Sequence, residues 1–306
     1  LSAAPPSGEQ IELALGDQRA VIVEVGGGLR SYEVAGRAIL DGYGPEEICS
    51  GGRGQPLIPW PNRTRDGRYE WGRRSYQLDL SEPGLANAIH GLVRWRNWTS
   101  QERSEASVVM RHVLHPSPGY PWTVELELSY ELSEAGLTVT TRATNAGGGP
   151  APFGVGFHPY LSALGADAID GCSLALPAAT RLLADERSIP TAREAVAGTA
   201  FDFRESRPIG ALVLDDCFTE LSRDGEGVAR VMLTSGSGDS SSVLWVDSAY
   251  EFVMVFSGET LAPAARRRGL AVEPMSCAPN ALQSGDGLAR LEPGATFVAR
   301  WGLSCS

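Results

Sequence analysis

The chain has 306 residues, of which 42% are apolar and 21% charged, with 26 basic against 37 acidic side chains and a formal net charge of −11. Every basic residue is arginine, which excludes a lysine Schiff base, a pyridoxal-phosphate anchor and a phosphate-loop lysine. The composition suits a sizeable core rather than a disordered chain, and an acidic chain with scattered arginines is poorly suited to nonspecific nucleic-acid binding.

No apolar run reaches the roughly 18 residues that a membrane-spanning helix needs, so no membrane association is expected. The opening LSAAPPSGEQ lacks the basic-then-apolar pattern of a secretory signal. Five cysteines (Cys49, Cys172, Cys217, Cys277 and Cys305) are odd in number and far apart. They form neither a metal knuckle nor a redox pair, so a reduced, cytoplasmic protein is expected.

The 36 glycines and 20 prolines, spread along the chain, predict many short strands joined by tight turns. Strand signals begin at 20–25. The GGG at 26–28 lacks the spacing and following helix of a dinucleotide fingerprint, and is read as a turn. A further strand is predicted at 108–114. In 123–132, Val124, Leu126, Leu128, Tyr130 and Leu132 alternate onto one face. Gly136 then leads into the β-branched run 137–144, and the two segments read as an antiparallel hairpin. The best helical signal, 190–200, predicts one short helix at most. Strand patterns return at 229–234, 243–247, 251–256 and 296–301. With no βαβ alternation and no convincing linker, the chain 1–306 reads as a single all-β domain of packed antiparallel sheets.

Polar residues in apolar settings supply the candidate site. In IPWPNRTRDGRY, Asn62 and Arg63 offer fixed hydrogen bonds to vicinal hydroxyls, with Arg65 nearby, and Trp60 offers an indole for a sugar face. His90, before Gly91, suits a structural hydrogen bond or a site role equally. His112 and His115 suit a strand end running into a proline turn. His158, in GVGFHPYLS, lies between Phe157 and Pro159, and the proline holds it extended. It is a group able to exchange a proton near neutral pH. Asp215 and Asp216 follow an apolar run, where adjacent strand residues face opposite ways. Glu273, in GLAVEPMSCAPNAL, needs an arginine, a polar network or a ligand if it is buried. One histidine, one isolated carboxylate, hydrogen-bonding residues and aromatics fit proton transfer on a polyhydroxylated small molecule.

Taken in order, PNR at 61–63, HG at 90–91, HPY at 158–160, LDDCF at 214–218 and EPMSCAPNA at 273–281 resemble the aldose 1-epimerase (galactose mutarotase) family. The resemblance implies a large β-sandwich with few short helices, holding a sugar in an open cleft on one sheet. It implies His158 as general acid on the ring oxygen and Glu273 as general base on the anomeric hydroxyl. Arg63 and His90 become ligand-orienting positions, and Asp215 an acceptor for sugar hydroxyls. Many members carry histidine after that aspartate, where this chain has Asp216. The expected activity is interconversion of the α and β anomers of a hexopyranose, with no cofactor and no metal. The alternatives are a mutarotase for an anionic sugar, with Arg65, Arg73 and Arg74 supplying the positive patch, and a noncatalytic carbohydrate-binding protein. A glycoside hydrolase on Glu273 and Asp215 would leave the HPY motif without a role.

Overall fold

A computed structural model describes residues 4–305. Two antiparallel sheets dominate it. The nine-stranded sheet is built around the predicted hairpin, Val124–Ser133 against Gly136–Asn145, with Leu132 opposite Leu137. The five apolar residues expected on one face of the first hairpin strand are all buried. The last strand, Thr296–Cys305, pairs with the hairpin on one side and with Ser241–Val246 on the other, closing the middle of the sheet with chain segments far apart in sequence.

The eight-stranded sheet carries the site. Its central strands are Asp215–Leu221, Phe252–Phe256 and Gly269–Met275. Alternation divides its two faces. Phe218, Val253, Val255 and Val272 join the main core, and Phe157 meets Trp301 of the nine-stranded sheet at a ring separation of 5.1 Å. On the other face Leu182, Cys217, Met254 and Met275 form a separate small cluster. An N-terminal four-stranded sheet begins with Gln10–Leu15 and Gln18–Val23.

The segment at 190–200 corrects the helical expectation: Pro190–Ala195 is a strand, paired with Ala178–Ala184 at the edge of the eight-stranded sheet. Weak helical propensity yields there to an available row of backbone hydrogen bonds. The single α-helix among the described residues is the four-residue Ala281–Ser284. The glycines at 26–28 form a turn, with Gly26 and Gly27 at positive φ.

Candidate active site

Sheet register brings the two proposed proton-transfer residues together. Gly156 pairs with Met275, and Tyr160 pairs with Ala271 on the same strand. Continuing that register across the break at His158-Pro159 sets position 158 opposite position 273. Directly opposed residues project to the same face, and His158 Nε2 lies 3.3 Å from Glu273 Oε1. Both side chains are buried. The proline causes the break, and the freed backbone is tied instead to a loop: His158 N–H donates to the Gln55 carbonyl (3.1 Å), and Gly54 N–H donates to the His158 carbonyl (2.9 Å).

The imidazole is packed on three sides. It stacks on Tyr160 with ring centroids 5.0 Å apart and planes 9° from parallel. His90 meets it edge-on at 5.4 Å. Gly52 covers a third side: with φ at +75°, a Cβ there would stand 2.8 Å from His158 Cδ2, so only glycine gives the ring room.

His90 is oriented by Asn62. The Asn62 N–H donates to His90 Nδ1 at 3.3 Å, and His90 N–H donates to the Asn62 carbonyl at 2.9 Å. With Nδ1 accepting, the ring proton belongs on Nε2. Both residues sit at positive φ, a conformation asparagine tolerates better than most. Arg63 is clamped by Glu82 through Nε at 2.9 Å and Nη2 at 2.9 Å, the two-pronged geometry that fixes a guanidinium plane. Asp215 shares the Glu273 face through the Cys217–Met254–Glu273 row; its side chain remains open to solvent. Asp216 projects to the opposite face, where Arg181 holds it at 2.9 Å. Trp60, expected to offer a sugar-stacking face, is 2% exposed and belongs to the core.

Among the described residues, His158 Nδ1 and Glu273 Oε2 are buried without a hydrogen-bond partner. Burial, followed by the charges of Arg94, Arg53 and Arg63, pulls His158 down to about 3. Burial and then the negative charge of Asp215 push Glu273 well above the usual carboxylate range, against the pull of Arg63. His90 is also driven well down, by burial and then by Arg94. Burial thus favours the uncharged form of each residue in the unliganded site.

His90, His158 and Glu273 each present a ligand atom, all within 4.8 Å of one another. Histidines dispersed in sequence thus converge into a set with the donors for a divalent cation, which spacing along the chain does not reveal. His112 is set apart: its Nδ1 donates to the Asn97 carbonyl at 3.0 Å, and its ring lies 5.3 Å from Trp98. With His115 it lines a recess of about 860 Å³ on the outer side of the nine-stranded sheet, which shares no residue with the His158–Glu273 cluster. Reading the sequence alone missed Glu82, Gln55, Gly52 and Arg94. The glycine-rich SGGRGQ at 50–55 is the one local signal of close backbone approach among them.

The family model described as Aldose 1-epimerase matches residues 9–304. The chain belongs to the aldose 1-epimerase family. The uncharacterized protein YihR of Escherichia coli K12 is 37% identical over 289 residues, covering 94% of this chain and 90% of the relative. Among solved structures, the GalM/aldose epimerase homologue of C. elegans superposes with a TM-score of 0.87 at 17% identity, covering 97% of this chain and 98% of the other. The galactose 1-epimerase of Lactobacillus acidophilus NCFM gives 0.82 at 20% identity, covering 97% and 94%. These likenesses establish the galactose-mutarotase-like fold and, with the family match, a sugar-acting enzyme of the epimerase class.

Proposed function

We propose that the chain, as one aldose 1-epimerase-like domain, interconverts the α and β anomers of a hexopyranose, with Glu273 as general base and His158 as general acid. The observation that carries this reading is the buried 3.3 Å contact between His158 Nε2 and Glu273 Oε1. The working form is the charge-separated tautomer of the resting pair, carboxylate and imidazolium. Glu273 takes the proton of the C1 hydroxyl while His158 donates to the ring oxygen, and the bond between C1 and that oxygen breaks. The sugar is then the open aldehyde, and the pair is back in its neutral form. Rotation about C1–C2 presents the other carbonyl face. Glu273 returns its proton to the carbonyl oxygen as the C5 hydroxyl attacks and gives its own to His158.

The site electrostatics assist both transfers. A carboxylate with a raised pKa is a stronger base, and an imidazolium with a lowered pKa is a stronger acid. Both residues shed charge in the opening step, which burial favours. Arg63, fixed by Glu82, with His90 Nε2–H and Asp215, orients the sugar hydroxyls, and Asn62 acts by holding His90. A noncatalytic sugar-binding protein would have no need of an unpartnered buried carboxyl against an imidazole. Polarimetry on freshly dissolved α-glucose and α-galactose, corrected for spontaneous mutarotation, tests the reaction. Binding without acceleration of anomer exchange across neutral and anionic hexoses would refute it.

A further inference from the structure

The Tyr160 ring on which His158 stacks also carries a buried cation. Arg53 Cζ lies 4.5 Å from the Tyr160 ring centroid, and the His158 imidazole lies 5.0 Å from it with planes 9° from parallel. Arg53 and Tyr160 are both buried. The guanidinium is fixed without any ligand: Nη2 donates to Asp41 Oδ2 at 3.1 Å, Nε to the same oxygen at 3.3 Å, and Nη1 to the Ser50 carbonyl at 3.1 Å. The other Asp41 oxygen accepts from Arg268 at 2.6 Å. One carboxylate thus serves two guanidinium groups and leaves the trio net positive, with Arg268 its exposed member. In a buried ion pair desolvation offsets attraction, so the place of Arg53 over this ring points to a use besides stability.

Tyr160 is held at both ends. Its carbonyl accepts the Asp41 N–H at 2.8 Å, so Asp41 anchors the Tyr160 backbone and the Arg53 guanidinium together. Its hydroxyl donates to the Gly51 carbonyl at 2.9 Å. Gly51 sits at φ +62°, where a Cβ would stand 3.1 Å from the Tyr160 hydroxyl and 3.2 Å from Arg53 Nη1. The phenol is not a second acid: burial, followed by the negative charge of Glu273, pushes it up, and its proton is committed to Gly51. What Tyr160 offers His158 is a plane. Arg53 in turn bears on the acid and not on the base, since the charges acting on His158 include Arg53, whereas those acting on Glu273 are Asp215 and Arg63.

We propose that Arg53 and Tyr160 are positioning residues for the general acid: Tyr160 fixes the plane in which His158 Nε2 meets the sugar ring oxygen, and Arg53 makes the imidazolium a readier proton donor. This rests on the mutarotase reading for the identity of the proton acceptor. An aromatic face attracts cations, so Tyr160 alone would stabilise the imidazolium and hold the proton back. A guanidinium already over the ring opposes a second positive charge there. The stack therefore orients the imidazole without stabilising its charged form, and repulsion at the stack is relieved as the proton leaves for the ring oxygen. The other groups facing His158 are Glu273 on the paired strand, His90 edge-on, and the charges of Arg94 and Arg63. Variants at Arg53 and Tyr160 retain all four.

The test measures kcat and KM against pH by anomer-resolved NMR on a sugar that the wild type accepts, and titrates the His158 ring by NMR in the unliganded protein. The proteins compared are the wild type, Arg53→Met, Arg53→Lys, Tyr160→Leu and Tyr160→Phe, with folding checked by circular dichroism. Arg53→Met fills the buried space without a charge and leaves Asp41 its bond to Arg268, so the fold is expected to survive. In that variant His158 should take its proton at a higher pH than the value of about 3 in the wild type. Its kcat should fall roughly 10-fold with KM little changed, a part of what acid catalysis is worth, and Arg53→Lys should recover some of both effects. Tyr160→Leu should cost roughly 10²-fold in kcat by freeing the ring, and Tyr160→Phe should recover most of that loss. An unmoved His158 titration in Arg53→Met would make Arg53 merely structural and overturn its role, whatever happened to turnover. Equal losses in Tyr160→Leu and Tyr160→Phe would overturn the role of the ring plane. A wild type without anomer exchange would refute the mutarotase reading, while the titration would still decide whether Arg53 acts on His158.

Discussion

Replacing Glu273 separates chemistry from folding. Glu273→Gln keeps length and an acceptor oxygen but is a poor base, and its amide can donate to His158 Nε2 across the present 3.3 Å gap. The fold should survive, because the buried group becomes permanently neutral, the state burial already favours. Loss of general base catalysis is worth roughly 10²- to 10⁴-fold, or about 2.7 to 5.5 kcal/mol of barrier, falling on kcat more than on KM. Glu273→Asp keeps the base but withdraws it by one carbon–carbon bond, about 1.5 Å. Since a displacement of about 1 Å in reacting geometry costs roughly 10²-fold, its loss should lie near that figure. The assay is anomer-resolved NMR or polarimetry on a sugar that the wild type accepts, after subtraction of the uncatalysed rate, with circular dichroism to establish folding. A folded Glu273→Gln that retains near wild-type turnover would remove Glu273 from the mechanism.

His158→Ala removes the acid at the ring oxygen and should lower kcat by a comparable roughly 10²- to 10⁴-fold, measured in the same assay with folding verified. Gly52→Ala forces a Cβ to within 2.8 Å of His158 Cδ2; it should cost about 10²-fold in turnover by displacing the ring, and an unchanged rate would show that the loop yields freely. The pH profile follows the single proton the pair must hold. Activity is expected to persist into acid until His158 takes a second proton near 3, and to fall in base as the raised Glu273 loses the shared one. A profile centred on ordinary carboxylate and imidazole values would contradict the burial argument. Extensive dialysis against a chelator should leave turnover unchanged; activity lost and then restored by one divalent ion would place that ion on His90, His158 and Glu273.

The class of fold was legible because alternation is local. The hairpin of Val124–Ser133 and Gly136–Asn145 announces itself in every second residue, and its turn in one glycine. The strand Pro190–Ala195 was not legible, because an edge strand with little to bury takes its conformation from the neighbour it pairs with. For the site, the sequence alone could mark His158 and Glu273 as constrained, since a flanking proline restricts the backbone wherever the chain goes. It could also show Asp215 and Asp216 pointing apart. Only tertiary pairing could decide that positions 158 and 273 stand opposite each other, since that depends on the register of Gly156 with Met275 and Tyr160 with Ala271. Likewise, whether an aromatic or charged residue is available to a ligand is a property of what surrounds it. Trp60 looks like a stacking platform in sequence and is sealed in the core; Arg94 looks like one arginine among 26. Among the described residues, folding gives Arg53 and Arg63 their carboxylates and pairs none with Arg94, because burial and charge pairing are set by neighbours distant in the chain.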